Sequence, residues 1–103
     1  MDRIAQLETF LKTSPQDSFL QHALALEYIK IGDDGKAKSL FEQILLREPG
    51  YVGSYYHLGK LLERAGLYET ASLTYNKGME EAEKAGDKHS LNELRGALEE
   101  ITE

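Results

Sequence analysis

Residues 20–49 read LQHALALEYIKIGDDGKAKSLFEQILLREP, and residues 54–83 read SYYHLGKLLERAGLYETASLTYNKGMEEAE. Laid over each other at an offset of 34, the two stretches match. Leu24 falls on Leu58, Gly32 on Gly66, Ala37 on Ala71 and Phe41 on Tyr75. The first stretch spaces Leu20, Leu24, Tyr28 and Ile31 three and four residues apart, and then Leu40, Phe41, Ile44 and Leu45. The second spaces Tyr55, Leu58, Leu62 and Ala65 in the same way. That period lines apolar side chains along one face of a helix, and no sustained two-residue alternation points to a strand. A glycine just past an apolar run suits a helix C-terminus, and an aspartate after it suits the next N-cap. Each stretch therefore reads as two helices joined by a glycine turn.

The pattern continues outward in both directions. A further offset of 34 aligns Leu7 with Phe41, Phe10 with Ile44, Leu11 with Leu45 and Pro15 with Pro49. The first helix thus has the character of the second member of a pair. Towards the C-terminus an offset of 36 places Leu91 on Tyr55, Leu94 on Leu58 and Leu98 on Leu62. The last helix has the character of a first member, and the helix before it carries two extra residues. Ser14-Pro15, Gly32-Asp33-Asp34-Gly35, Glu48-Pro49-Gly50, Ala65-Gly66 and Ala85-Gly86-Asp87 punctuate the chain. They predict six helices, near 2–13, 17–31, 34–47, 51–65, 67–85 and 88–102. Connections this short make neighbours pack antiparallel. The expected organisation is one domain over 1–103: a half-repeat helix at 1–15, repeats at 17–49 and 51–85, and a capping helix at 87–103. Glu93, Arg95, Glu99 and Glu100 flank the last apolar stripe and keep its outer face in water.

These residues resemble the tetratricopeptide repeat, a 34-residue helix–turn–helix unit. The first repeat supplies Leu24, Ala25, Tyr28, Gly32, Ala37, Phe41 and Pro49, and departs at Gln21, where an aromatic is usual. The second supplies Tyr55, Leu58, Gly59, Gly66, Ala71 and Tyr75. It departs at Leu62, where Tyr is usual, and at Glu83, where Pro is usual. The resemblance implies an all-α, right-handed α-solenoid of antiparallel helix pairs A and B, as a small bacterial-type stand-alone module. Ala25, Gly59, Ala37 and Ala71 let helices A and B approach, and Tyr28, Phe41 and Tyr75 fill the space between repeats. Pro49 cannot continue its helix and directs the chain into the next one. Half a repeat, two repeats and a cap amount to three helix pairs, about the minimum for a stable stack.

Composition removes whole classes of function. The 103 residues contain no cysteine, which excludes disulfide scaffolds, cysteine–zinc sites and thiol catalysis. A net charge of −6 argues against nucleic acid, whose phosphates need a basic face. Apolar runs fall far short of a membrane span, so no membrane partner is expected. Asp2, with no apolar stretch of signal-peptide length after it, makes the cytoplasm the expected location.

Catalytic motifs fail on inspection. Gly53 and Gly59-Lys60 are spaced one residue too far for a phosphate loop, Leu61 stands where Ser or Thr is needed, and no strand precedes them. His22, His57 and His89 fall on three different helices and read as surface residues. His89 and Glu93 share a helix face, but two ligands do not make a zinc site. Glu80, Glu81 and Glu83 read as a solvated face. No nucleophile, base and orienting group can be named together, so no enzymatic activity, cofactor or metal is expected.

Binding is the better-supported expectation. The resemblance implies a concave surface lined by the A helices. On the second A helix, Tyr56, His57, Lys60 and Arg64 lie opposite the core stripe. They form a basic, aromatic strip in an acidic protein, suited to a carboxylate or an acidic peptide. Glu63, Glu93 and Glu100 are the acids that would otherwise pair with it. On the first A helix, Phe19, Ala23 and Leu26 form a second apolar stripe, with His22 and Lys30 beside it. Some tetratricopeptide modules clamp chaperone tails with Lys and Asn at fixed inner positions. The first pair here is His22 and Leu26, so that clamp is not carried over. The leading expectation is a scaffold or adaptor that holds a protein or peptide segment in the groove. The rival from another class is self-assembly as a homodimer through the Phe19 stripe, and an enzyme is a distant third.

Overall fold

The computed structural model describes residues 2–102. It contains α1 (Arg3–Thr13), α2 (Ser18–Lys30), α3 (Asp34–Arg47), α4 (Gly53–Arg64), α5 (Tyr68–Ala85) and α6 (Lys88–Ile101). These are the six expected helices, each end within two residues of its predicted place. There is no strand among the described residues. The chain divides into two compact units, Met1–Glu48 with α1–α3 and Pro49–Glu103 with α4–α6.

In the first unit every helix starts on an aspartate. The carboxylates of Asp2, Asp17 and Asp33 accept from the amides of Ala5, Leu20 and Lys36. Each satisfies a donor that has no partner inside the helix. The turn after α2 runs through Gly32 at φ 82°, and the Asp33 amide donates back to the Tyr28 carbonyl over 2.9 Å. This closure needs a left-handed residue, which glycine adopts without steric cost. The α2–α3 pair is antiparallel, because Arg47 and Glu48 at the end of α3 bond to Ser18 and Gln21 at the start of α2. Leu7, Leu24, Ala25, Tyr28, Ala37, Phe41 and Ile44 are buried together as the core. The Tyr28 hydroxyl donates to Glu8, which ties α1 to α2.

The second unit repeats the turn but only part of the capping. Neither α4 nor α5 has a side-chain cap. Gly66, at φ 78°, ends α4, and the Leu67 amide bonds to the Leu62 carbonyl over 2.9 Å, the same closure as in the first unit. Helix α5 runs 18 residues where α3 runs 14, consistent with the longer offset read at the C-terminus. A left-handed Gly86 ends it, and Asp87 caps α6 through the Ser90 amide.

Helices α4 and α5 come close together at Gly59, where a Cβ would stand 2.1 Å from the Tyr75 ring. Tyr75 is fully buried there. A second contact, not singled out from the sequence, is at Gly78. A Cβ there would meet Tyr55 at 2.6 Å and Leu94 at 2.9 Å. Gly78 is what allows α4 and α6 to close over α5. The acidic run on α5 is also not uniformly solvated. Glu81 is buried and takes Lys77 at 3.2 Å and Lys84 at 3.4 Å.

Candidate functional site

On α4, burial of Tyr55, Leu58, Leu61 and Leu62 leaves Tyr56, His57 and Lys60 half-buried and Arg64 exposed on the remaining face. The Tyr56 and His57 rings meet edge-on with centroids 5.6 Å apart. One turn later the Lys60 ammonium sits 5.5 Å from the Tyr56 ring centroid, in cation–π range. It also lies 3.6 Å from the Glu63 carboxylate. Glu63 is held in turn by the buried Tyr75 hydroxyl, which donates to it across the α4–α5 pair. Arg64 is exposed at the end of α4. Tyr56, His57, Lys60 and Arg64 thus lie along one face of α4, with Lys60 anchored by Glu63.

The electrostatics follow from burial. Half-buried His57 is held below the ordinary histidine range by desolvation, with Glu93 pulling the other way. It is therefore neutral at physiological pH and presents a hydrogen-bonding imidazole rather than a charge. The Tyr75 hydroxyl is pushed up, first by burial and then by its bond to Glu63. It stays protonated and donating throughout the physiological range.

The α2 residues stand in the other unit. Phe19 is 70% exposed, whereas Ala23 and Leu26 are half-buried. Lys30 is exposed and paired with Glu27 at 2.9 Å. His22 is not a plain surface residue. Its ring packs edge-on against buried Phe41 with centroids 5.4 Å apart, so its shape serves the α2–α3 contact. His57 likewise departs from the surface reading, and only His89 of the three histidines is exposed.

Sequence reasoning missed two features around these faces. One is the Tyr75–Glu63 bond, readable only once residues 12 apart are brought together by the glycine turn. The other is a network at the start of α2. Arg47 donates to Ser18 over 2.7 Å and to Gln21 over 2.8 Å, and Gln21 donates to the Pro15 carbonyl over 3.1 Å. Gln21 standing where an aromatic is usual was the available signal.

Among the described residues, no three His, Cys, Asp or Glu side chains converge as metal ligands. No helix among the described residues is long and apolar enough to cross a membrane.

The tetratricopeptide repeat family matches the chain at residues 20–51 and 52–84. Among solved structures, a tetratricopeptide repeat domain protein from Salinibacter ruber is similar at 41% identity. The match covers 82% of this chain and 94% of that one, with a TM-score of 0.80. A protein from Bordetella parapertussis shares the fold at 23% identity and a TM-score of 0.84, over 98% of this chain and 88% of that one. The MamA protein is similar at 25% identity and a TM-score of 0.72, over 82% of this chain and 46% of that one. No curated protein matches the chain. The fold class is an all-α helical repeat, and with two successive matched repeats the chain belongs to the tetratricopeptide repeat family.

Proposed function

We propose that the chain is a cytoplasmic scaffold or adaptor whose A-type helices hold a peptide or protein segment on their concave faces. Tetratricopeptide repeats generally mediate protein–protein interaction and are typically not enzymes. This chain belongs to that pattern, without chemistry or cofactor of its own. The observation that carries the reading is Lys60, held over the Tyr56 ring with Arg64 a turn beyond it, in a chain of net charge −6. An acidic side chain of the ligand pairs with Lys60 or Arg64, and its apolar part lies on the Tyr56 ring. Phe19, Ala23 and Leu26, with His22 and Lys30 beside them, give α2 a more apolar face for the same kind of ligand.

The test is peptide display on the folded protein, followed by polarisation measurements on the enriched peptides. The peptides are expected to be acidic, to bind less well as salt rises, and to lose affinity for a folded Lys60→Glu, Arg64→Glu variant. Undiminished binding to that variant removes the α4 face from the site.

A second reading is favoured by Phe19, a large apolar side chain left mostly in water. Self-association through the α2 face in a two-fold arrangement covers Phe19 on both copies.

A further inference from the structure

The first unit carries two contiguous open cavities beside α3. One, of about 480 Å³, is lined by Pro15, Gln16, Gln21, Gln43, Leu46 and Arg47. The next, of about 230 Å³, shares Gln43 and continues past Leu40, Leu24 and Tyr28 to Lys36. Together they form a groove along α3 with a cation at each end and apolar side chains between. Among the described residues lining the two cavities none carries a carboxylate, although the protein has 18 acidic residues.

Arg47 is the telling residue. Its Nη2 hydrogens go to Ser18 and Gln21. Its Nε is buried with no hydrogen-bond partner among the described residues. The Glu48 carboxylate lies 3.9 Å from Nε and accepts from the Ser18 hydroxyl instead. The guanidinium is partly exposed where it lines the cavity, and its charge is met only at 3.9 Å by Glu48, so it can also receive a carboxylate from outside. At the far end Lys36 rests over the Tyr28 ring at 5.3 Å, only loosely approached by Asp33 at 3.9 Å. Leu46, between these ends, is 88% exposed.

We propose that this groove is a second binding surface, for an extended peptide segment in which two carboxylate side chains flank an apolar stretch. One carboxylate meets Arg47, the other meets Lys36, and the apolar residues lie on Leu40 and Leu46. At the helical rise, Lys36 and Arg47 are roughly 16 Å apart along α3. An extended chain spans that in about five residues. Charge complementarity selects the ligand, because the groove offers cations and amides in an otherwise acidic protein. The surface is independent of the α4 strip.

The probe is a fluorescein-labelled peptide, Gly-Glu-Ala-Leu-Ala-Glu amide, whose two Glu and Leu share one face when extended, beside its version with Gln for both Glu. Amide and side-chain NMR signals of the isotope-labelled full chain are followed during titration, with polarisation for affinity. The acidic peptide is expected to shift the side-chain amide signals of Gln21 and Gln43. The Gln version is expected to bind about tenfold more weakly, the loss of a charge-assisted contact. Leu46→Asp places a competing carboxylate at the groove without touching the core, and should also weaken binding about tenfold, as should Arg47→Met. The shifts at Gln21 and Gln43 should persist in the Lys60→Glu, Arg64→Glu variant, whatever acidic-peptide binding that variant loses at the α4 strip. Should Arg47→Met fail to fold, Leu46→Asp at its exposed position carries the test. Shifts confined to α4, equal binding by Leu46→Asp, or no shift at all would overturn the proposal. So would a dimer in sedimentation that Leu46→Asp dissociates, since the groove would then belong to a second copy.

Discussion

Tyr55 donates its hydroxyl hydrogen to the carbonyl of Pro49, six residues earlier. Gln21, 34 residues before Tyr55, does the same to Pro15. The two repeats thus fasten the start of their A helices by one device using different side chains. Burial, with Glu81 and Glu80 adding to it, pushes the Tyr55 hydroxyl up to about 12, so it remains a donor. The consequences of removing the two donors should differ. Tyr55→Phe loses one hydrogen bond and is expected to cost about 1 kcal/mol. Gln21→Leu also deprives Arg47 of an acceptor, and is expected to cost about 1–3 kcal/mol. Urea unfolding of the two variants against wild type measures both. A Gln21→Leu variant as stable as Tyr55→Phe would show that Arg47 gains little from Gln21.

Two glycines predict opposite signs for one substitution. Gly59→Ala adds a methyl 2.1 Å from the Tyr75 ring, so α5 must move. The expected cost is about 1–3 kcal/mol, in spite of alanine's better helix propensity. Gly96, on α6, has nothing within 4 Å of an added Cβ. Gly96→Ala should stabilise by up to about 1 kcal/mol. The same logic applies to Ala37 and Ala71, both fully buried, where Leu should overpack by about 1–3 kcal/mol. Thermal melts of the four variants decide it. Near-neutral Gly59→Ala and Ala71→Leu would reject the helix register.

The helices were legible because period and punctuation agree. Leu24, Tyr28 and Gly32 mark a face and its end without any tertiary knowledge, and Leu58 and Gly66 repeat the statement. The close approach at Gly59 was legible through the repeat. Gly78 was not, because a glycine inside a helix pattern does not declare which neighbours press on it. The Tyr56–Lys60 strip was legible as one face of a helix. Its anchoring was not, since Glu63 depends on Tyr75, a residue on another helix. Arg47 was invisible for the same reason: its partners Ser18 and Gln21 are more than 25 residues away.

His57 gives a pH test. Its burial favours the neutral imidazole, so its folded pKa lies below the unfolded value of about 6.5. The unfolded chain then binds the proton more readily. Stability should fall as pH drops below about 6.5, and the fall should level off once the folded group titrates. Glu81 is held down by its bond to Lys77 and Asp87 by the Ser90 amide. Their stabilisation is lost only lower, through and below the carboxylate range, so the two windows separate. Melting temperatures of wild type and His57→Gln from neutral to mildly acidic pH are expected to converge as the pH falls. An NMR titration midpoint for His57 above 6.5 would contradict the account.

Phe19 provides the test of self-association. It is exposed on α2, while Leu26, two turns along the same helix, is half-buried. Phe19→Glu should therefore change monomer stability by no more than about 0.5 kcal/mol, as surface substitutions do. Leu26→Lys should cost more, because it withdraws part of a packed side chain, although the lysine stem retains some of that contact. On the self-association reading, the wild type sediments as a dimer at tens of micromolar and Phe19→Glu as a folded monomer. Adding Leu26→Lys should change nothing further in mass. The dimer should persist at high salt, since the contact is apolar and salt screens only charges. A wild type that sediments as a monomer under these conditions ends that reading and leaves the α2 face to a peptide ligand. A dimer that survives Phe19→Glu intact places the contact elsewhere on the chain.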